Sequence, residues 1–250
     1  MQPALLIFSF GIGLVMGLTS VGGAALMTPL LILGLGTSPF LAVGTDLVYG
    51  ALTRFAGAWM HWKQGTVDVR VAGRMFYGSI PGCLLGAVLL NLLHRQWPDA
   101  DAWLRRAIGI VLVLVACVLI TRTFRLRLTE WRPLDPNGRG LILAAGVVGF
   151  LVGFTSVGSG TLLAPLLLTM FPGNPARAVG TDIFHAAILA TAASLAHMEA
   201  GNVVWGLVPL LLMGSLPGVL LGSYLAPRLP ARSLRAGVAM LLLATGIRLF

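Results

Sequence analysis

Charged residues are scarce in this sequence. They make up 10% of the 250 residues, while hydrophobic residues make up 57%. A soluble domain carries about 25% charged residues, so this composition excludes a protein that covers its surface with water-facing charges. The long apolar runs suit segments of roughly 20 residues that cross about 30 Å of hydrocarbon. The sequence therefore predicts an all-α polytopic membrane protein.

Acidic residues are the rarer charged type, because 8 Asp and Glu stand against 17 Lys and Arg, which gives a net charge of +9. Nearly every basic residue lies at a joint between apolar segments, as the positive-inside rule describes. This distribution argues against a nucleic-acid surface, which would gather the basic residues into one patch. We predict a multi-pass protein of the cytoplasmic (inner) membrane, surrounded by the lipid bilayer and without a nucleic-acid partner.

Cysteine is almost absent, and Cys83 and Cys117 lie inside apolar runs at no metal-binding or redox spacing. The sequence also has no phosphate-binding loop of the kind that ATPases use. We therefore predict no metal site, no cofactor and no enzymatic activity.

An internal repeat organises the chain. A shift of 136 residues aligns Gly17–Gly86 with Gly153–Gly222 without a gap, with 27 identities in 70 positions. The identities include the box Ala42–Asp46, which recurs as Ala178–Asp182. Chance similarity between apolar segments shares Leu and Val, whereas this box shares Gly, Thr and Asp. We conclude that the two halves are copies of one repeat.

Each repeat is predicted to contain a broken first helix and three full spans. Repeat 1 covers residues 1–122, a basic linker covers 123–139, and repeat 2 covers 140–250. The broken helices are predicted at 4–35 and 141–171, and the spans at 40–62, 69–92, 103–122, 176–198, 203–226 and 234–250.

The basic residues favour one of two topologies for the broken helix. If it is re-entrant, the repeats are inverted and 12 Lys and Arg lie inside against 4 outside. If it crosses the membrane, the repeats are parallel and the division is 9 to 7. The positive-inside rule therefore favours inverted repeats.

The two helix breaks are the predicted substrate site. Irregular backbone at membrane depth persists where it is buried in protein or lines a polar cavity, and paired breaks in inverted repeats indicate a transport site. Gly allows close approach of a ligand, and a half-helix that starts at the break directs N–H groups and a positive dipole end to it. The alternative is tight packing of small residues. The predicted substrate-binding residues are Thr19, Ser20, Gly22, Gly23, Thr155, Ser156, Gly158, Ser159 and Gly160.

Four further side chains are predicted to act in coupling or gating: Asp46, Asp182, His185 and Arg54. A carboxylate inside a span is costly and usually functional; bracing of the breaks, proton coupling and cation coordination are the open alternatives. His185 lies on the same helix face as Asp182. Arg54 either extends along the span toward the inner surface or donates hydrogen bonds to the anion.

The motifs together resemble the TauE/SafE family of sulfite and organosulfonate exporters over essentially the whole chain. They are Gly17–Pro29 and Gly153–Pro165, the two Ala-Val-Gly-Thr-Asp boxes, and the signatures His61–Asp68 and His197–Val203. Val204 stands where the first signature has Asp68, and Ser159 aligns with Gly23, so the two half-sites are unequal. The resemblance implies transport of a sulfur-containing or related small organic anion, with substrate and direction left open.

The sequence thus predicts a secondary transporter of a small anion, such as sulfite or an organosulfonate, that works by alternating access around the two breaks. Protons are an open second partner, and the oligomeric state is left open, a homodimer included. An anion channel is the nearest alternative. An intramembrane serine hydrolase is another, because Gly158-Ser159-Gly160 resembles part of the rhomboid-protease nucleophile motif and His185 or His197 could act as its base.

Overall fold

The computed structural model describes residues 2–21, 23–123, 135–136, 138–228 and 232–250. These residues form α-helices and no strand, which confirms the predicted all-α class. Most of the predicted linker 123–139 and Gly22 lie outside the described residues. The helices are α1 Gln2–Thr19, α2 Gly23–Pro29, α3 Pro39–Lys63, α4 Val69–Gln96, α5 Ala100–Thr123, α6 Arg139–Thr155, α7 Ala164–Met170, α8 Pro175–Glu199, α9 Val208–Leu225 and α10 Arg232–Arg248.

Both half-helices that follow a break contain a π-helical turn. In the first, the turn Leu30–Gly34 follows α2, and in the second, the turn Ser159–Leu163 precedes α7. Pro29 and Pro165 lie next to these turns. A proline inside a helix removes one backbone hydrogen bond, and π-helical turns are often found at functional sites. Despite the prolines, each half-helix continues without interruption, over residues 23–34 in the first repeat and 159–170 in the second.

Close backbone contacts at glycines show how the long helices pair. Gly13 and Gly17 of α1 face Ser215 and Gly222 of α9, so these two helices run in the same direction. The pair α4 and α6 is also parallel, since residues 78 and 86 face residues 142 and 150. The central pair α3 and α8 is antiparallel, because residue 44 faces Asn202 while residue 57 faces Ile183. Small residues allow this backbone approach between helices in a membrane.

The two ends of the first broken helix lie at the same end of the bundle. The segment after the π-helical turn leads directly into α3. The first turns of α3 face the connection between α8 and α9, where the Val204 N–H donates to Thr45 Oγ1 at 2.9 Å. Helix α9 begins at that end, and α1 runs parallel to it. The chain therefore enters the bundle along α1 and returns to the same end of the bundle along residues 23–34.

Among the described residues, four helices are long and apolar enough to cross a membrane: Val69–Gln96, Ala100–Thr121, Pro175–Glu199 and Val208–Leu225. Helix α3 has 25 residues but includes the charged residues Asp46 and Arg54, and α10 has 17 residues. The five tryptophans within the described residues are all exposed, which agrees with an interfacial belt: Trp59, Trp62, Trp97, Trp103 and Trp205. The predicted division into repeats of three full spans stays a prediction.

Candidate functional site

A threonine and a serine build each break in the same way. The Thr19 hydroxyl donates to Val15 O at 2.8 Å, and the Val21 N–H donates back to that hydroxyl at 3.1 Å. Thr155 repeats this pattern at the second break. These two hydroxyls satisfy backbone groups that the break would otherwise leave unpaired. Thr19 and Thr155, both predicted to bind substrate, thus bind their own backbone.

The serine after each threonine adopts a left-handed backbone conformation. The φ angle is 60° at Ser20 and 62° at Ser156. Such angles are uncommon for residues other than glycine, and strain of this kind gathers at ligand sites and switch regions. The equivalent residue has this conformation in both halves, so the left-handed serine is a feature that the two breaks share.

The two breaks touch each other. A Cβ atom on Gly160 would overlap the carbonyl oxygen of Ser20. On the other side of the contact, the hydroxyls of Thr28 and Ser156 are hydrogen bonded at 2.7 Å. The contact therefore joins each half-helix to the break of the other repeat.

A small cavity lies where the breaks meet, with a volume of about 10 Å³. A single water molecule needs about that much space, so an anion larger than water does not fit in this conformation. The residues that line it come from both breaks and from α3: Ser20, Gly23, Ala24, Ala25, Arg54, Gly158, Ser159, Gly160 and Thr161.

Arg54 brings a full positive charge to this cavity. Its side chain is buried, with 6% of its surface exposed, so the guanidinium does not extend to the surface of the bundle. It lies against the backbone of Gly23 and Gly50, where a side chain would collide with it. The equivalent residues in repeat 2 are Ser159 and Ala186, and the arginine is replaced by Ala190. The space for the guanidinium therefore exists in the first half only.

The two buried carboxylates have different surroundings. The Ser20 hydroxyl donates a hydrogen bond to Asp182 Oδ2, which joins the first break to α8. Ser156 and Thr28 lie near Asp46, but they bond to each other. Within the described residues, neither oxygen of Asp46 has a hydrogen-bond partner. The charge of Arg54 acts on both carboxylates. A buried charge is tolerated only when it is compensated, so the three groups form one electrostatic unit.

His185 does not join Asp182. Its Nε2 atom is hydrogen bonded to Ser79 at 2.8 Å, and its ring stacks on Phe76, while its Nδ1 atom has no hydrogen-bond partner among the residues that the structure describes. The structure thus brings three of the four predicted coupling residues together and leaves His185 apart from them.

The histidines at the span ends are fully buried and brace the first helix of each repeat. His61 Nε2 lies 3.4 Å from the carbonyl oxygen of Gly17, and His197 Nε2 lies 2.9 Å from that of Gly153. Neither His185 nor His197 is hydrogen bonded to Ser159. A serine nucleophile needs its base within hydrogen-bond reach, so this arrangement gives no support to hydrolysis.

The starts of both half-helices complete the chemistry of the cavity. The first N–H groups of a helix have no acceptor within the helix, and they carry the positive end of its dipole. Residues 23–25 and 158–161 line the cavity at these positions. Together with Arg54 and the hydroxyls of Ser159 and Thr161, they provide hydrogen-bond donors for an oxyanion.

Comparisons with known proteins agree with this architecture. The sequence profile described as "Sulfite exporter TauE/SafE" matches residues 5–249. The chain belongs to the TauE/SafE family. Family membership and the names of its relatives agree on a multi-pass membrane transporter.

The curated relatives match this TauE/SafE protein over most of their length. "Probable membrane transporter protein YjnA" of Bacillus subtilis (strain 168) is 42% identical over 100% of both chains. "Probable membrane transporter protein YunE" of the same strain is 25% identical over 95% of this chain and 93% of its own. A "Probable membrane transporter protein" of Xylella fastidiosa (strain Temecula1 / ATCC 700964) is 25% identical over 88% and 83%. No solved structure matches the chain.

Sequence reasoning about this TauE/SafE protein missed Thr161. The predicted residues that line the cavity are Ser20, Gly23, Gly158, Ser159, Gly160 and Arg54, while Thr19, Thr155 and Ser156 lie outside its lining. Thr161 aligns with Ala25 of the first repeat, so the repeat comparison gave it no signal. Its position two residues beyond Ser159, within the first turn of the half-helix, is the feature that could have indicated it.

Replacing Thr161 by valine is expected to weaken anion binding without weakening the fold. The Thr161 hydroxyl is buried and has no hydrogen-bond partner in the described part of the chain. Removing an unpaired buried hydroxyl from a site of the same shape is neutral or stabilises by about 1 kcal/mol. We expect an unchanged or higher melting temperature in detergent together with a higher KM for anion uptake. An unchanged KM would remove Thr161 from the site.

Proposed function

We propose that this chain carries a small sulfur oxyanion, sulfite or an organosulfonate, across the cytoplasmic (inner) membrane by alternating access. The observation that carries the proposal is the small cavity between the breaks, with Arg54 and both half-helix starts in its lining. Its donors suit a group with several negatively charged oxygens. Its small volume means that the anion is enclosed only after the breaks separate, which is the behaviour of a carrier rather than of a permanently open channel.

Inverted repeats are part of this proposal. Helices α3 and α8 are equivalent under the 136-residue shift, and they run antiparallel. Two equivalent helices of parallel repeats would run in the same direction, so their antiparallel course supports inversion. The end of the bundle where α3 ends would then face the cytoplasm, in keeping with the distribution of Lys and Arg.

An ion pair at that end makes the two ends of the proposed carrier unequal. Arg177 Nη2 lies 2.7 Å from Asp68 Oδ2, which links the start of α8 to the start of α4. At the opposite end, the equivalent residues are Leu41 and Val204. We propose that opening of the cavity at the charged end separates Arg177 from Asp68, whereas opening at the other end separates apolar residues.

Uptake of labelled sulfite into proteoliposomes, with and without an imposed pH gradient, tests the proposed function. We expect saturable uptake, because each chain must rearrange to carry one anion. Flux that rises in proportion to the sulfite concentration would favour the anion channel. If sulfite is not taken up and ethanesulfonate is, the substrate is an organosulfonate.

The hydrogen bond between Ser20 and Asp182 offers a route to proton coupling. While Asp182 is ionised, it uses the one proton of the Ser20 hydroxyl. Once Asp182 carries a proton of its own, it can donate to Ser20 Oγ, and the Ser20 hydroxyl is free to donate into the cavity. We propose that proton binding at Asp182 and anion binding at Ser20 favour each other in this way.

Replacing Asp182 by asparagine is expected to preserve anion exchange and to abolish accumulation driven by a pH gradient. The asparagine amide donates to Ser20 as the protonated acid would, but it cannot release a proton. Asp46→Asn is the matched control, because it removes the same charge from a carboxylate that accepts no hydrogen bond from the described residues. Uptake is measured in both variants with and without the gradient. Gradient-driven accumulation that persists in Asp182→Asn would show that coupling does not pass through this residue.

A further inference from the structure

A groove of about 670 Å³ lies between the starts of α4 and α6. None of the residues that line it lines the cavity between the breaks. Arg70 and Arg74 line it from α4, and Arg139 lines it from α6. Residues four apart share a helix face, so the two arginines of α4 point the same way. A Cβ atom on Gly73 would meet nothing within 4 Å, which leaves the floor of the groove open.

The packing of α4 against α6 brings the arginines together. The backbone of Gly78 lies against the carbonyl of Ile142, and the two helices run in parallel from that point. Arg139 is three residues before Ile142, which places it beside the first turns of α4. Arg70 and Arg139 are both exposed.

The equivalent helix pair provides an internal control for this charge. Under the 136-residue shift, α9 and α1 correspond to α4 and α6, and they pack as closely. There, the equivalents of Arg70, Arg74 and Arg139 are a glycine, a leucine and a proline at positions 206, 210 and 3. Helix packing therefore does not require arginine at these positions, and the exposed Arg70 and Arg139 call for a ligand or a topological role.

Apolar side chains continue the groove away from the arginines. On α4, Tyr77 is 76% exposed, and Leu84 and Val88 follow it on the same face. On α6, Leu143 is 70% exposed and Val147 follows it one turn later. A cationic end joined to an apolar stripe on a membrane-facing surface matches a phosphate headgroup with acyl chains below it.

We propose that Arg70, Arg139 and Tyr77, with Arg74 beside them, bind the headgroup of an anionic phospholipid. Guanidinium groups bind phosphate oxygens through paired hydrogen bonds. The tyrosine hydroxyl lies at the depth where the headgroup meets the acyl chains, as interfacial aromatic residues do. The site is independent of the transported anion and would attach the α4–α6 pair to one leaflet.

The test is lipid binding to the purified full chain in neutral detergent, measured by native mass spectrometry with phosphatidylglycerol and phosphatidylcholine. We expect tighter binding of phosphatidylglycerol. Each basic residue near an anionic lipid contributes about 1 kcal/mol, so Arg70→Gln with Arg139→Gln should weaken that binding roughly 30-fold. Binding of phosphatidylcholine should not change. Orientation in a membrane does not enter this measurement, so the topological role of the arginines cannot produce the loss.

The matched control removes the same charge elsewhere. Arg105→Gln with Arg106→Gln changes two exposed arginines at the start of α5, outside the groove, and should leave phosphatidylglycerol binding intact. An equal loss in both double variants would show an effect of net charge and overturn the site. Equal affinity of the wild type for the two lipids, or displacement of the lipid by millimolar inorganic phosphate, would overturn it as well. If the glutamine variant does not fold, Arg70→Lys with Arg139→Lys should still weaken binding, because lysine lacks the paired donors.

Discussion

Replacing Arg54 by glutamine is expected to abolish saturable anion uptake. Among the residues that line the cavity, Arg54 carries the full positive charge, and it is buried there against Gly23 and Gly50. Hydrogen bonds to charged groups contribute about 1.5–3 kcal/mol each, and a guanidinium can give two to one oxyanion. We expect uptake at low anion concentration to fall by roughly 100-fold or more. Initial rates in proteoliposomes measure the loss.

Two variants separate the role of Arg54 in binding from a general effect on the protein. Arg54→Lys keeps the charge but loses the planar fork, so it should retain an intermediate rate with a higher KM. Arg106→Gln removes an exposed arginine near Trp103 and should transport as the wild type does. Wild-type rates in a folded Arg54→Gln protein would contradict the proposed site.

Replacing Gly160 by alanine is expected to separate the two breaks and to stop transport. The added Cβ would overlap the backbone carbonyl of Ser20, which cannot rotate away as a flexible side chain can. Overpacking of this kind typically costs about 1–3 kcal/mol. We therefore expect a lower melting temperature in detergent and an uptake rate at least about tenfold below the wild type.

Gly11→Ala is the matched control for this substitution. A Cβ atom on Gly11 meets nothing within 4 Å, and the residue lies inside α1. Alanine favours a helix more than glycine does, so this variant should keep its stability and its transport. If Gly160→Ala behaves as Gly11→Ala does, close contact between the breaks has no role in the carrier.

The sequence alone predicted the all-α class and the positions of the breaks, because both depend on patterns along the chain. Low charge and long apolar runs identify membrane helices, and the 136-residue shift exposes Ser20 and Ser156 as equivalents. The shift also drew attention to Asp46 and Asp182, since an acidic residue is rare in such helices. The family resemblance rested on these same repeated motifs.

The partners of the side chains could not be predicted in the same way, because they depend on how helices rotate and cross. Ser20 bonds to Asp182, whereas the equivalent Ser156 bonds to Thr28. Thr28 has no counterpart hydroxyl, since the second repeat has Ala164 there. Helical spacing placed His185 on the face of Asp182, yet its hydrogen bond goes to another helix. A repeat in sequence thus led to two half-sites with different contacts.

Equilibrium binding of labelled sulfite to the purified protein tests most directly whether the cavity between the breaks is the anion site. We predict saturable binding of one anion per chain in the wild type and in Arg106→Gln, with no saturable binding in Arg54→Gln. Unlabelled ethanesulfonate is included as a competitor to distinguish sulfite from an organosulfonate. Saturable binding that survives unchanged in Arg54→Gln would contradict the account and place the anion elsewhere in the bundle.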